Sequence, residues 1–249
     1  MKISIITVCY NSLETLGDTL ASVAAQDHPN VEHIVIDGGS TDGTHSLVER
    51  EGRHVKVFVS EPDEGIYDAM NKGIRLASGD IIGTLNADDV YADSKVLSRI
   101  ERQMVQGQLD AIYGDVMFFA NDRPKVNLRR YSSRYFAPSR IAWGWMPAHP
   151  TLFLRREIFH RFGLFRADFN IAGDYEFVAR IFKDADLRYR YLPEVLVRMR
   201  TGGASTNGWR STLLLNREVL RACRENGIRT NLLMLLSKYP IKALEYFLK

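Results

Sequence analysis

Gly79-Asp80-Ile81-Ile82-Gly83-Thr84-Leu85-Asn86-Ala87-Asp88-Asp89 is the stretch on which the reading of the fold turns. Ile81 to Leu85 is a short apolar run bounded by turn residues, the pattern of a strand buried on both faces. It ends in two adjacent carboxylates, Asp88 and Asp89. Open α/β sheets bind ligands just outside the carboxyl edge of their strands. Adjacent carboxylates repel one another unless a cation sits with them. Hard oxygen donors suit Mg²⁺ or Mn²⁺, ions that commonly share their coordination with substrate phosphates. An isolated Asp-Asp pair reads as a solvated turn; the flanking segments reverse that.

Working outward, Lys2 to Val8 is a β-branched run and predicts the first strand. Asn11, with Glu14 three residues on, is a capping-box pattern and predicts a helix through about Ala25. Val31 to Ile36 predicts a second strand, closed by Asp37, and Val55 to Val59 a third. Ile66, Ala69, Met70, Gly73, Ile74 and Ala77 fall at helical spacing. The β-α-β-α alternation implies a parallel, doubly wound sheet with right-handed crossovers. Between the second strand and the Leu47-Val48 helix lies Gly38-Gly39-Ser40-Thr41-Asp42-Gly43-Thr44. It matches neither G-x-G-x-x-G nor G-x-x-x-x-G-K-[ST]. Together with Tyr10-Asn11 and Asp88-Asp89, it puts polar groups at three strand ends of one sheet edge. An aromatic face, a base-reading carboxylate and a metal site on one edge are what a nucleoside diphosphate requires.

These residues carry a family resemblance. Segments 6–11 (Ile-Thr-Val-Cys-Tyr-Asn), 35–44 (Val-Ile-Asp-Gly-Gly-Ser-Thr-Asp-Gly-Thr), 60–73 (Ser-Glu-Pro-Asp-Glu-Gly-Ile-Tyr-Asp-Ala-Met-Asn-Lys-Gly) and 85–89 (Leu-Asn-Ala-Asp-Asp) resemble family-2 glycosyltransferases. The third segment is similar to bacterial exopolysaccharide transferases of the colanic-acid type. The resemblance implies the GT-A fold, a nucleotide-sugar donor and inversion at the anomeric carbon. It places Tyr10 near the base and Asp37 bonded to it. It sets Asp88 on the ribose and Asp89 on an Mn²⁺ or Mg²⁺ ion bridging the diphosphate, with Asp88 beside that ion, and it adds Asn71 and Lys72 as donor-holding residues. One departure stands out: Asn86 occupies a position where many relatives have Asp, offering an oxygen without a charge.

The second half is read more coarsely. Lys95 to Gln106 predicts a helix, Asp110 to Phe119 a strand and Arg123 to Tyr135 a basic, aromatic hairpin. The loop Trp143 to Pro150 has two open readings: a sugar-stacking acceptor surface, or aromatic core with a proline turn. His149 alone reads as structural. In Ile171-Ala172-Gly173-Asp174-Tyr175-Glu176-Phe177, the resemblance aligns Asp174 with the catalytic base, with Glu176 as fallback. The Glu that usually precedes the base is Gly173 here. A carboxylate at a helix N-terminus is favoured as the anion, and a plain helix cap is the alternative. Val195 to Arg200 predicts a strand. The turn Thr201 to Thr206 also matches the family, with Arg198 or Arg200 toward phosphate, and the absence of Q-x-x-R-W points to one sugar per encounter.

The expected architecture is therefore α/β: a GT-A, Rossmann-like, mostly parallel central sheet flanked by helices, with a C-terminal helical tail. Residues 1–206 are expected to form the glycosyltransferase domain, with 1–90 the nucleotide-sugar half and 91–206 the acceptor half. Residues 207–249 are expected to form a helical extension. Of 249 residues two are cysteine, Cys9 and Cys223, so neither a disulfide framework nor a zinc spacing exists. No signal peptide is expected from Met1 to Ile6, and no run approaches a spanning helix.

The net charge of +3 hides ten Lys/Arg against three Glu from Arg198 onward, +7 there and −4 elsewhere. Leu232 to Leu236 and Ile241 to Leu248 are apolar with interleaved lysines, and Pro240 predicts two short helices. Two fates stay open, a last core element or a segment in the interface of an anionic membrane. The expected partners are a nucleotide-diphosphate sugar and a glycan or polyprenyl-diphosphate-linked acceptor, at the cytoplasmic side, with no nucleic acid. A nucleotidyltransferase is the first alternative, but Tyr10-Asn11-Ser12 is not its glycine-rich basic loop. An inactive sugar-binding module is the second.

Overall fold

A computed structural model of the chain describes residues 1–121, 123–201 and 208–237. Strand β1 (Ile3–Cys9) is buried along its whole length, as an apolar run between two neighbours requires. It pairs in parallel with β2 (Val31–Asp37) on one side and β4 (Ile81–Thr84) on the other, Ile6 lying opposite both Ile34 and Thr84. β3 (Val55–Ser60) continues the parallel order outside β2. The winding direction reverses between β1 and β4, which opens a crevice at their carboxyl ends.

Beyond β4 the sheet becomes mixed. β6 (Ala111–Ala120) is joined to β4 through β8 (Phe153–Arg155), antiparallel to both. β8 follows the 3₁₀ turns Pro138–Trp143 and His149–Thr151 instead of a crossover helix, so it enters the sheet from the opposite end. β9 (Tyr189–Arg200) runs parallel to β6, and β5 (Val90–Tyr91) ends the row antiparallel to β9. β7 (Arg123–Tyr131) is one strand that pairs back on β6, off the main path, instead of the hairpin expected within 123–135.

Alternation along the strands builds a core on each face. Ile6, Val8, Ile34 and Ile36 pack with Met70 and Ile74 of helix α3 (Ile66–Leu76) and with Phe177 and Ile181 of α6 (Gly173–Phe182). On the other face Ile3, Ile5 and Ile81 meet Leu97, Ile100 and Met104 of α4 (Val96–Gln106). Cys9 and Val35 meet Leu16 and Leu20 of α1 (Leu16–Ala24) and Leu47 and Val48 of α2 (Thr44–Glu51). Each such side chain contributes roughly 1.5–3 kcal/mol by its burial.

The capping box read at Asn11 and Glu14 does not form. Helix α1 starts at Leu16, its first turn anchored by the Ser12 carbonyl, which accepts from the Thr15 and Leu16 amides at 3.1 and 3.0 Å. Asn11 is committed elsewhere. It adopts a φ of 47°, its amide donates to Ser40 Oγ at 2.7 Å, and its Oδ1 accepts from the Thr41 amide at 2.9 Å. The asparagine ties the first strand end to the glycine-rich turn of the second.

α5 (Arg156–Phe162) and α7 (Gly208–Glu225) pack around α6, and α8 (Leu232–Leu236) follows. The glycine-rich turn 202–206 and the tail from Lys238, including Pro240, lie outside the described residues. Among those described, no helix is long and apolar enough to cross a membrane.

Candidate active site

An open cavity of about 1200 Å³ lies over the carboxyl ends of β1 and β4. Its walls come from Tyr10, Asn11 and Ser12 after β1, Asn86 and Asp88 after β4, Tyr67 and Met70 on α3, and Asp174 on α6. Phe118, Leu128 and Arg129 of the β6–β7 hairpin, with Met199 and Arg200 of β9, close the remaining side.

The two carboxylates after β4 separate. Asp88 lines the cavity, and burial raises its carboxyl above the ordinary range against the opposing charge of Arg200. Asp89 sits behind it, fully buried and not among the lining residues. Its Oδ1 accepts from the Arg200 amide at 3.3 Å, and its Oδ2 is buried without a hydrogen-bond partner. Burial, then the neighbouring Asp88 charge, push the Asp89 carboxyl well up. Among the described residues no cluster of three or more His, Cys, Asp or Glu could hold a metal. The chemistry at hand, one cavity-facing carboxylate backed by an orphaned buried one, fits a divalent cation that takes its remaining ligands from phosphates and water.

Arg200 reaches the cavity with its guanidinium already engaged. It donates to Asp18 Oδ2 at 2.8 Å, to Asn121 Oδ1 and to the Asp88 carbonyl at 3.3 Å, and it lies over the Phe119 ring. It braces the Asp88 turn from β9. Asn86 also lines the cavity, while its carbonyl accepts the Asp89 amide at 3.1 Å.

On the α6 wall, Asp174 Oδ1 accepts from its neighbour's amide, Tyr175, at 2.8 Å and from the Tyr67 hydroxyl at 3.2 Å. Glu176 is instead buried and paired with Arg180 at 2.8 Å, so only Asp174 of the two carboxylates faces the cavity. His149 lies on the same wall. Burial pushes its imidazole down despite the Asp174 charge, its Nε2 is 3.3 Å from Thr84 Oγ1, and its Nδ1 is buried without a partner.

At the β1–β2 end Tyr10 exposes 65% of its surface along the cavity wall. Asp88 shares the cavity with it, but Asp37, Asn71 and Lys72 are not among the lining residues. Asp37 is fully buried, and its oxygens accept from the Ser40 amide at 3.1 Å, from Ser40 Oγ, and from Ser60 Oγ at 2.6 Å. Asn71 spends its side-chain amide on the Phe165 backbone, donating at 2.8 Å and accepting at 2.9 Å. Lys72 donates to the Pro62 carbonyl at 2.9 Å and pairs with Glu61 at 2.9 Å. These three hold loops; the carboxylate that reaches the cavity beside Tyr10 is Asp63.

Of the Trp143 to Pro150 loop, only His149 and Pro150 line the cavity. Tyr175 donates its hydroxyl to the Ile141 carbonyl and Thr230 Oγ1 donates to the Ala142 carbonyl at 2.5 Å, which turns the loop toward α6 and α8. Sequence reasoning also missed Tyr67 and Glu218. Tyr67 sits inside the recognised segment 60–73, so its signal was present. Glu218 of α7, whose Oε1 accepts from the Asn170 amide and whose Oε2 accepts from the Ile171 and Ala172 amides ahead of α6, all at 2.9 Å, carried none.

A parallel half-sheet, a cavity at its switch point and an acidic turn after β4 are the architecture of a nucleotide-binding α/β domain. The chain belongs to glycosyl transferase family 2, whose family model matches residues 4–165. It is 34% identical over 186 residues to an uncharacterized glycosyltransferase of Mycobacterium tuberculosis (strain CDC 1551 / Oshkosh), covering 72% of this chain and 68% of that one. Among solved structures it is similar to S. aureus TarS 1–349 in complex with UDP-GlcNAc, with a TM-score of 0.67 and 19% identity over 89% of this chain. It is also similar to the mannosyltransferase PcManGT of Pyrobaculum calidifontis in complex with GDP-Man and Mn²⁺, with a TM-score of 0.64 and 21% identity over 88% of this chain. The chain spans 66% and 64% of those two, just under two thirds of their length. At such identities the likeness is one of fold.

Proposed function

We propose that this glycosyltransferase moves one sugar per encounter from a nucleotide-diphosphate sugar to a hydroxyl of a glycan or polyprenyl-diphosphate-linked acceptor, with inversion. The observation that carries the reading is that Asp88, Asp174 and the Tyr10 ring line one cavity. Tyr10 and the turn after β2 take the nucleoside. Asp88, backed by Asp89, would hold a divalent cation, Mn²⁺ or Mg²⁺, and such an ion when bound offsets negative charge on the departing diphosphate. Asp174 accepts the proton of the acceptor hydroxyl as it attacks the anomeric carbon. Arg200 keeps the Asp88 turn in place. The likeness in fold to proteins solved with UDP-GlcNAc, or with GDP-Man and Mn²⁺, supports the donor class and the ion.

The test is a panel of nucleotide sugars assayed for transfer and hydrolysis with and without Mn²⁺. Asp174→Asn should bind the donor as the parent does while turnover falls by about 10²–10⁴-fold. A variant that loses donor affinity and stability together would make Asp174 a helix cap only.

We also propose work on a cell-surface polysaccharide at the inner face of the cytoplasmic membrane, with 1–206 carrying the cavity-lining residues and 207–249 an extension toward that surface whose α7 also buttresses α6. Leu213 of α7 and Leu232, Leu233 and Leu236 of α8 are exposed, in the basic part of the chain. Flotation with anionic liposomes should be salt-sensitive and lost in a chain ending at Arg229; a full chain that does not float sinks the idea.

A further inference from the structure

The nucleoside end of the cavity carries a carboxylate that comes from neither β1 nor β2. Asp63 stands on the loop after β3 and descends onto the Gly38-Gly39 pair. A β-carbon on Gly38 would lie 2.5 Å from Asp63 Oδ2, 3.2 Å from its Cγ and 3.4 Å from Tyr10 Cδ2. A β-carbon on Gly39 would meet the Glu61 and Pro62 backbone at 3.5–3.7 Å, ordinary contact; there the φ of 83° is what favours glycine. The missing side chain at 38 is what lets Asp63 reach the cavity. Lys72 fixes that segment from behind through the Pro62 carbonyl and Glu61.

The two oxygens of Asp63 differ. Oδ1 accepts the Gly65 amide at 2.8 Å, while Oδ2 has no hydrogen-bond partner among the described residues and is the oxygen above Gly38, beside the Tyr10 ring. No lysine, arginine or histidine among the described residues forms an ion pair with Asp63. Asp42, which also lines this end, is spent: it accepts from the Leu13 and Thr44 amides at 3.0 Å each and from Thr44 Oγ1. One acceptor oxygen therefore faces the cavity beside an exposed aromatic face. An anion would be repelled there. A flat ring stacked near Tyr10 and presenting a ring N–H at its edge would satisfy it.

We infer that Asp63 is the base-reading residue of this enzyme, and that it selects lactam bases, which carry a ring N–H, over bases whose corresponding ring nitrogen is an acceptor. Uracil and guanine belong to the first class, cytosine and adenine to the second. The inference rests on the nucleotide-sugar reading of the cavity. It replaces the role that the sequence had put on Asp37.

Calorimetric titration of the full chain with UDP, CDP, GDP and ADP, each with Mn²⁺, tests it. The parent should favour the lactam member of a pair by about tenfold or more, because a ring N–H bonds the carboxylate oxygen, whereas the ring nitrogen at that position in cytosine and adenine is an acceptor that repels it and leaves only the exocyclic amino group to one side. Asp63→Asn is the informative variant. The Gly65 amide holds the amide oxygen, so the NH₂ group takes the place of Oδ2 and turns an acceptor into a donor. The UDP-to-CDP or GDP-to-ADP preference should then collapse by a similar factor. Gly38→Ala, which leaves Asp63 in the chain but displaces its carboxylate, should weaken the same preference, with folding checked by a thermal melt. An unchanged base preference in Asp63→Asn overturns the inference and leaves the glycosyltransferase reading standing. Equal losses for UDP and CDP also overturn it, since they share the ribose and would place Asp63 there. Failure of all four diphosphates to bind overturns the nucleotide reading and the inference with it.

Discussion

The hydroxyl of Tyr67 stands 3.2 Å from Oδ1 of Asp174 and 2.6 Å from the Ile171 carbonyl, while its ring lies against Gly173. A β-carbon on Gly173 would come within 2.8–2.9 Å of three atoms of that ring. The residue before the expected base is thus glycine because a tyrosine from α3 occupies the space. The exchange links the two halves of the cavity, since Tyr67 belongs to the segment that follows β3 and Asp174 to α6. Burial, then the Asp174 charge, push the phenol far up, so it serves as a hydrogen-bond group and not as an acid.

Tyr67→Phe keeps the ring and removes only the hydroxyl. We expect turnover to fall about tenfold, the loss of one hydrogen bond that orients a reacting group, with the affinity for nucleoside diphosphate unchanged. Single-turnover rates beside equilibrium titration separate the two. A lower melting temperature with full turnover would confine Tyr67 to packing.

The acidic turn can be dissected in the same manner. Asp88 faces the cavity and Asp89 lies behind it. Asp88→Asn should abolish the retention of Mn²⁺ in the presence of UDP, followed by the Mn²⁺ electron paramagnetic signal, and cost about 10²-fold or more in turnover. Asp89→Asn should weaken the ion less, because its Oδ1 meets the Arg200 backbone and its Oδ2 lies buried behind the cavity wall. Equal Mn²⁺ binding by the parent and Asp88→Asn would remove Asp88 from the ion.

The first half of the fold was legible because each strand is an apolar run closed by polar turn residues, and β1 to β4 appear within a residue or two of their expected bounds. Segment spacing gave the sheet edge that holds the cavity. What one sequence could not give was direction. Asp37, Asn71 and Lys72 lie in the recognised segments, yet their side chains turn to Ser40, to Phe165 and to Pro62. Asp63 was read past because its place at the cavity depends on a glycine, Gly38, about 25 positions earlier. The capping box failed since Asn11 found a tertiary partner in the turn 38–44 that outcompetes a local cap. In the second half, β8 antiparallel between β4 and β6 left no local pattern, because its three residues are ordered by neighbours and not by their own periodicity.

A buried histidine gives the fold a pH dependence. His33 is fully buried, its Nε2 3.0 Å from Thr7 Oγ1 and its Nδ1 3.0 Å from His54 Nε2. Burial, with the His54 charge adding to it, pushes its imidazole from 6.5 down to about 3. The folded chain therefore binds fewer protons than the unfolded chain between these values, and stability rises with pH across that window. It is lost as pH falls below 6.5, at about 1.4 kcal/mol per pH unit for one such group. His33→Gln should flatten the dependence of the melting temperature between pH 6.5 and 5 relative to the parent. Parallel curves for the two proteins would mean that His33 is protonated in the fold.

Glu218 bears on stability and chemistry at once. It lies on α7, is buried, and accepts the Asn170, Ile171 and Ala172 amides just ahead of α6. Those amides belong to the turn that leads into α6, and although burial works to raise the carboxyl, their hydrogen bonds hold it below the ordinary range. Asp174 follows Ala172 by two positions, so Glu218 fixes the backbone from which the cavity-facing carboxylate projects. Glu218→Gln retains one acceptor oxygen and supplies a donor where an acceptor stood. It should lower stability by about 1.5–3 kcal/mol, the range for hydrogen bonds to a charged group. Turnover should fall with it, measured at a temperature where the variant stays folded, while binding of nucleoside diphosphate at the β1–β4 end is retained. The same contact predicts that a chain ending at 206 loses both fold and activity, since the carboxylate that orders the start of α6 comes from beyond that point. Full turnover in Glu218→Gln, or a folded and active chain ending at 206, would show that α6 holds Asp174 without help from α7.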